Sequence, residues 1–493
     1  MNTIQTEVFG LDSRITPFLQ KFGLKSVSFF GEEIMQYNVI DYGAVTDGEK
    51  LNTVAVQAAI DACAAAGGGQ VFFPKGKYVL STVFLKSNVH IVFEDATQIL
   101  GSLNFTDYCP DETVDYPLYQ DKSHSYFHCS MFVGIDCENI KITGKAKIDM
   151  RSVWDEEDVR KNIAYRGAKC IALKNCKNVE LSNLSIYFAT DLAIYFAGCE
   201  DVEIYGIKMR TYIDGISPDN CKNVRIHDCE VEAGDDALVF KSSYTLNKLD
   251  ICKNIRVWNC RLKSRAYCIK FGTETNGGFE NIVIEDIYMY DTRICGFSIQ
   301  SADGAIIDDI VLRNVKMVNV NVPIFIYLGK RMRGPKGREI GRIRNVLIEN
   351  VEASGPYGPF EIIPCYYPYY KANDWWQDRK VYSTYWGTPE MSQSREDWQT
   401  TSNVCGLKGI PLENITFRNV HLSLDGGVQE FERNVKEEPP DYPQTFGYGW
   451  ILPAKGIYFR YIDGLVLDNV TVKTERPDVR EDFIFDNVEN LKV

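Results

Sequence analysis

The sequence predicts an all-β fold, a parallel β-helix with an N-terminal capping helix. Three observations lead there: a short phrase recurring at coil-sized intervals, period-two runs inside each repeat, and an Ala-rich segment stopped by three glycines. The phrase is Cys-x-Asn/Asp-Val/Ile. It occurs at Cys137-Glu138-Asn139-Ile140, Cys176-Lys177-Asn178-Val179, Cys199-Glu200-Asp201-Val202, Cys221-Lys222-Asn223-Val224 and Cys252-Lys253-Asn254-Ile255. Weaker echoes follow at Asn281-Ile282, Asp309-Ile310, Asn345-Val346, Asn414-Ile415 and Asn490-Leu491. Between Asn178 and Asp309 the successive intervals are 23, 22, 31, 27 and 28 residues, the period of a solenoid that adds one supersecondary unit per turn. Within each unit, runs such as Val202-Glu203-Ile204-Tyr205 and Val224-Arg225-Ile226-His227 alternate with the period of a strand buried on one face.

The helix is expected from about Thr53 to Ala66, where Gly67-Gly68-Gly69 ends it and Gln70-Val71-Phe72-Phe73-Pro74 begins the strands. A solenoid needs a lid over its first coil, because an open end exposes core and unpaired strand edges. Without a following Lys-Ser/Thr, the triple glycine reads as a helix stop and not as a phosphate loop. Residues 1–36 are aperiodic and carry Phe9, Phe18, Phe22, Phe29 and Phe30, which must pack against one end of the solenoid or a partner chain. Residues 37–493 then form the β-helix domain, with insertions near 355–412 and 426–450. The first holds Pro364-Cys365-Tyr366-Tyr367-Pro368-Tyr369-Tyr370, Trp375-Trp376, Trp386 and Trp398. Such rings either present flat faces to sugars or bury themselves on the solenoid wall. The second, with Glu437-Glu438-Pro439-Pro440, reads as a solvated excursion.

Composition narrows the function classes. Fifteen Cys in 493 residues is an odd count, and many fall at one repeat position, so small apolar thiols stacked coil on coil are expected in preference to disulfides. The recurring Asn is expected to be structural, satisfying backbone groups of the next coil. A net charge of −13 argues against nucleic acid and anionic membranes as partners. No stretch approaches the roughly 20 apolar residues of a membrane span. Met1 to Glu7 lacks the basic start of a secretory signal, which with the many thiols favours the cytoplasm as written; a removed leader would imply the periplasm or secretion. Five His supply no Ser-His-Asp or zinc constellation, and His227, alternating with Ile226, is expected to point outward.

The acidic residues do form a constellation. Gly234-Asp235-Asp236 follows Asp214 by 235 − 214 = 21 residues, close to one coil, so these carboxylates are expected to stack on one face. A bend at Gly234 would let Asp235 and Asp236 serve the same cleft, since neighbours on a regular strand point to opposite faces. The alternatives are solvated corner acids or calcium ligands.

Taken together, the opening phrase through Pro74-Lys75-Gly76-Lys77-Tyr78, the Asn-Val coils, Asp214-Gly215-Ile216-Ser217-Pro218-Asp219 and Gly234-Asp235-Asp236-Ala237-Leu238-Val239-Phe240-Lys241-Ser242 resemble the polygalacturonase family of glycoside hydrolases, family 28. The resemblance covers roughly residues 38 to 350. It implies a right-handed β-helix, no cofactor or metal, and inverting hydrolysis of pectin. Asp235 would be the general acid, and Asp214 and Asp236 would hold and deprotonate the attacking water. Inversion requires a protonated carboxyl and an ionised one about 6.5–9.5 Å apart, which three aspartates on adjoining coils can provide. Crowding them raises at least one pKa and keeps a proton available.

The chain departs from the family pattern. Asn-Thr-Asp is here Tyr212-Ile213-Asp214, His-Gly is Tyr267-Cys268, and Arg-Ile-Lys is Ser298-Ile299-Gln300. In the family that Arg and Lys hold the galacturonate carboxylate on the leaving-group side. Either the leaving sugar here is neutral, or other bases hold its carboxylate; Arg265, Lys270, Arg293, Lys330, Arg331 and Arg333 are available. The expected substrate contacts are Lys241, Tyr267, Lys270, Glu274, Gln300 and Arg331. Cys268 and Cys295 are expected to pack and not to act as nucleophiles. Alternative functions are a β-helix polysaccharide lyase with a Lys or Arg base and calcium, and a non-catalytic carbohydrate-binding solenoid.

Overall fold

The protein is described by a computed structural model over residues 25–29, 32–119, 123, 127, 129–151, 167–356, 401–431, 435–438, 441–449 and 451–493. Its strands join in one 30-stranded sheet wound as a right-handed parallel β-helix. In the middle coils three short strands lie end to end and the next coil repeats them in register; in later coils they merge into long strands such as Gly278–Ser301 and Ile306–Leu328. Glu200–Tyr205, Lys208–Thr211 and Ile216–Asp219 lie beneath Lys222–His227, Glu230–Ala233 and Leu238–Ser242, with Val202 opposite Val224, Met209 opposite Val231 and Ile216 opposite Leu238. Like residues therefore stack like upon like along the axis. Ile204, Ile226 and Val257 are fully buried in one such column, each worth about 1.5–3 kcal/mol of burial.

The repeated Asn marks a sharp corner. Asn139, Asn178, Asp201, Asn223, Asn254 and Asn281 all have φ between 54° and 56°, the left-handed region that Asn and Asp tolerate best after Gly. Their side chains form a ladder: Asn223 Nδ2 donates to Asp201 Oδ1 at 3.0 Å, and Asn254 Nδ2 donates to Asn223 Oδ1 at 3.0 Å. The structural role stands as expected, but the partner is the neighbouring side chain and not the backbone. Asn223→Ala is expected to cost about 1–2 kcal/mol, from left-handed strain and two lost exposed hydrogen bonds, with unchanged turnover. Denaturant midpoints checked against activity test this.

Helix α1, Thr53–Ala65, lies where the sequence placed it and buries Val56, Ala59, Ile60 and Cys63 in the same apolar cluster as Val71 and Val89 of the first coils. Gly68 follows at φ 121°, and a Cβ there would lie 2.5 Å from the Asn88 carbonyl oxygen, so only Gly lets the chain turn back onto the sheet. Every described cysteine is free, and all but Cys109 are buried. In the ladder, the Cys221 thiol donates to Asp219 O at 3.2 Å and that of Cys252 to Lys241 O at 3.1 Å.

Two boundaries move. Residues Glu32–Asn38 form a strand paired in parallel with Gly69–Phe73, and Lys25–Phe29 pairs antiparallel beside it, so this part of the N-terminal extension continues the sheet. Ser402–Cys405 is a strand of the solenoid, hence the first insertion closes before residue 412; its aromatic residues Pro364 to Trp398 lie outside the described residues. The second insertion is solvated at Glu437 and Glu438, as expected, but its later part is not. Tyr448 and Leu452 are fully buried against Phe325, Tyr327, Cys405 and Tyr458, because the outer face of those strands is itself apolar.

The acids lie along one wall, of which eight consecutive strands concern the site: β1 (Ile194–Ala197), β2 (Ile216–Asp219), β3 (Leu238–Ser242), β4 (Tyr267–Thr275), β5 (Gly278–Ser301), β6 (Ile306–Leu328), β7 (Ser402–Cys405) and β8 (Ala454–Arg476). Ile194, Ile216, Leu238, Ile269, Phe297 and Ile324 form their inward column, all fully buried. The alternate residues, including Lys241, Lys270 and Ser298, point the other way.

Candidate active site

The three aspartates sit in turns, not on strands. Thr211 to Gly215 leads into β2, and Gly234 to Ala237 leads into β3 one coil later. The turns are stacked by backbone bonds: Gly234 N to Thr211 O at 3.0 Å, Asp235 N to Ile213 O at 3.3 Å and Gly215 N to Asp236 O at 2.8 Å. The coil step is 236 − 214 = 22 residues, so Asp236 is the residue directly above Asp214, and its N–H donates to Asp214 Oδ1 at 3.2 Å. Gly234 makes the stack possible, since a Cβ there would collide with the Tyr212 carbonyl oxygen and lie 2.8 Å from its carbon. The bend expected at Gly234 is this turn. One oxygen from each of Asp214, Asp235 and Asp236 falls within 4.8 Å of the others. These nearest oxygens are closer than the about 6.5–9.5 Å expected for an inverting pair, because backbone stacking brings adjacent turns closer than a sugar ring would separate them.

Burial sets the electrostatics. Asp214 is 4% and Asp236 2% exposed, whereas Asp235 is only partly buried. Two lysines on the outward face answer them. Lys270 Nζ donates to Asp236 Oδ2 at 2.8 Å; Lys241 Nζ lies 3.0 Å from Glu274 Oε2 and 3.8 Å from Asp214 Oδ2. Burial lifts the Asp236 carboxyl above the usual carboxylate range; Lys270 pulls it back, and Asp214 adds to the rise. Burial alone would discharge both lysines, but Asp236 holds Lys270 charged, and Glu274 and Asp214 hold Lys241 charged. The carboxylate cluster could bind a cation by geometry. The ammonium groups of Lys270 and Lys241 already supply positive charge there, which makes the donor set a poor match for calcium and its six to eight oxygens.

The other expected residues fall around this network. Tyr267 is buried, its ring centroid 4.6 Å from Lys270 Nζ. Glu274 bridges Lys241 and Arg333, the latter at 3.1 Å. Gln300, on the next coil, is fully buried; its Nε2 donates to Ser298 Oγ at 2.8 Å, and its Oε1 has no hydrogen-bond partner. Arg331 is committed to protein groups: its Nε and Nη2 donate to Asp303 at 2.8 and 2.5 Å, and Nη2 also to Thr273 O at 2.7 Å. His227 points outward as expected, stacked between Tyr205 and Trp258.

Two residues were not foreseen. Tyr442 comes from the second insertion, its ring 5.7 Å from the Arg331 guanidinium, and the charges of Lys270, Glu274, Asp235 and Asp236 all act on its hydroxyl. The aromatic run Tyr442, Phe446, Tyr448 was the available signal, and the acidic stretch before it masked it. Ser217, in the middle of β2, has a buried Oγ without a partner. With Asp236 Oδ1 and Gln300 Oε1 it is a group that a sugar hydroxyl or water would satisfy.

Known proteins resemble this chain in sequence and in fold. The family described as glycosyl hydrolases family 28 matches residues 63–357. A probable polygalacturonase of Vitis vinifera is 25% identical over 297 residues, spanning 57% of this chain and 60% of that protein, so less than two thirds of the relative's length is matched. Among solved structures, a Yersinia enterocolitica family 28 exopolygalacturonase superposes with TM-score 0.67 at 19% identity, covering 94% of this chain and 80% of that one. An exopolygalacturonase from Thermotoga maritima gives 0.65 at 17% identity, covering 93% and 96%.

Proposed function

Because the chain belongs to glycosyl hydrolase family 28, we propose that this glycosidase cleaves pectic, galacturonic-acid-containing poly- or oligosaccharides with inversion at the anomeric carbon. Asp235 protonates the leaving oxygen. Asp214 and Asp236 hold the attacking water and take its proton. The observation that carries the assignment of the acids is the convergence of three carboxylates on one turn stack within 4.8 Å, two of them buried against lysines and one more exposed, while inversion is supported by membership of the family. Two carboxylates can then fix a water while the third works from the solvent side.

A neutral sugar suits the leaving-group side. Ser298 and Gln300 stand where the family pattern places cationic groups, and an unpartnered carbonyl oxygen at Gln300 favours a hydroxyl over a carboxylate. Of the neighbouring cations, Lys241, Lys270, Arg331 and Arg333 each already have a carboxylate partner.

Product analysis of a panel of pectin fragments tests both parts. Hydrolysis adds water to the products and is insensitive to chelator; an unsaturated product lost with chelator would mean a lyase. The new hemiacetal, followed by proton NMR in the first minutes, is expected in the configuration opposite to the bond cut. A retained configuration would favour a covalent route instead, for which about 5–5.5 Å between carboxyls suffices.

A further inference from the structure

We propose that Lys270 is a positioning residue that acts through Asp236: its ammonium grips one carboxylate oxygen and leaves the other as the oxygen that takes the attacking water's proton. This rests on Asp236 serving as a base, as argued above. Lys270 would otherwise be read as a substrate contact, a cation on the outward face of β4 beside the acids.

The geometry favours the carboxylate as its partner. Lys270 Nζ donates to Asp236 Oδ2 at 2.8 Å, with the Lys270 side chain 8% and that of Asp236 3% exposed. The Tyr267 ring, 4.6 Å from Nζ, backs the ammonium and limits where it can move. Asp236 Oδ1 is buried and has no hydrogen-bond partner, so the two oxygens are sharply unequal. The Asp236 N–H meanwhile holds Asp214 Oδ1 at 3.2 Å, which places a second carboxylate beside the first. Two buried carboxylates this close do not both ionise unless cations offset them, and Lys270 and Lys241 are those cations.

The groups facing Asp236 separate by where they titrate. Tyr267 and Cys268 on β4 and Cys295 on β5 all have their pKa raised, first by burial, and stay neutral in acid; the hydroxyl of Tyr442, a residue 38% exposed, is also raised and also stays neutral there. Lys270 and Lys241, both raised against burial by their acidic partners, stay charged. The carboxyl whose titration Lys270 acts on directly is that of Asp236, which its ammonium holds. Loss of the Lys270 charge favours the protonated form of Asp236, so the base forms only at higher pH.

The test is kcat and KM against pH for the full chain acting on a purified pectin oligosaccharide that the wild type cleaves. For Lys270→Met, kcat is expected to fall about 10–100-fold with KM within about twofold, and the acid limb of kcat to move up by about one pH unit or more. Lys270→Gln keeps a donor without the charge; it guards against a Met variant that fails to fold and is expected to show the same shift. Lys270→Arg is expected to restore the limb. A raised KM with an unmoved limb, or a profile identical to wild type, overturns the proposal. Asp236→Asn separates the two levels: wild-type turnover in that variant removes Asp236 as the base, whereas an inactive Asp236→Asn beside an unmoved Lys270 profile removes the positioning role alone.

Discussion

Asp235→Asn is expected to lower kcat by about 10²–10⁴-fold while the melting temperature stays close to wild type. The substitution removes a proton donor and no volume. The backbone bonds that hold Asp235 in its turn do not involve the carboxyl: its N–H donates to Ile213 O at 3.3 Å, and its carbonyl accepts from the Ser264 hydroxyl and, at 3.4 Å, from Ala266 N. Asn keeps all three. Its side chain is also only partly buried, so exchanging the carboxyl for an amide carries little desolvation change. Asp214 and Asp236 are less clean probes, because each faces a buried lysine, and neutralising either leaves an uncompensated ammonium. Turnover of a cleaved pectin fragment, measured beside a thermal melt, decides the matter. Undiminished turnover in Asp235→Asn would take the general-acid role away from this residue.

How much of this could be read in the chain follows from the geometry of a coil. A column such as Ile204, Ile226 and Val257 repeats both period two and the coil interval, so one-dimensional spacing contains it. Asp214 and the Asp235-Asp236 pair were legible for the same reason, although the stacked residue proved to be Asp236 at 22, not Asp235 at 21. Strand β7 was missed because Ser402-Asn403-Val404-Cys405 lacks the Cys-x-Asn phrase and occupies a four-residue stretch. The second insertion was read only in part: Glu437 and Glu438 are exposed as their charge suggests, while the burial of Tyr448 depends on the apolar outer face of Phe325 and Tyr327 that it covers. The pairing of Lys241 with Glu274, 33 residues away, and of Arg331 with Asp303 depends on which way a turn throws a side chain. Spacing does not encode that direction.

Gly234→Ala is expected to damage both stability and turnover, the reverse of the Asp235 result. Gly234 is not in the left-handed region, so the cost is steric: the new Cβ would collide with the Tyr212 carbonyl oxygen and sit 2.8 Å from the Tyr212 carbon and 3.2 Å from its Cα. These are backbone atoms of the coil below, not the end of a side chain that can swing aside. The two turns are also held together by Gly234 N to Thr211 O at 3.0 Å and Asp235 N to Ile213 O at 3.3 Å, so the clash relaxes only if those bonds stretch. Overpacking of this kind costs about 1–3 kcal/mol. Separating the turns also moves Asp235 and Asp236 away from Asp214, and a shift of about 1 Å in reacting groups costs about 100-fold in rate. A denaturant curve and kcat on the same preparation test both effects. If Gly234→Ala unfolds and turns over like wild type, the tight stacking of these turns is not what holds the three carboxylates together.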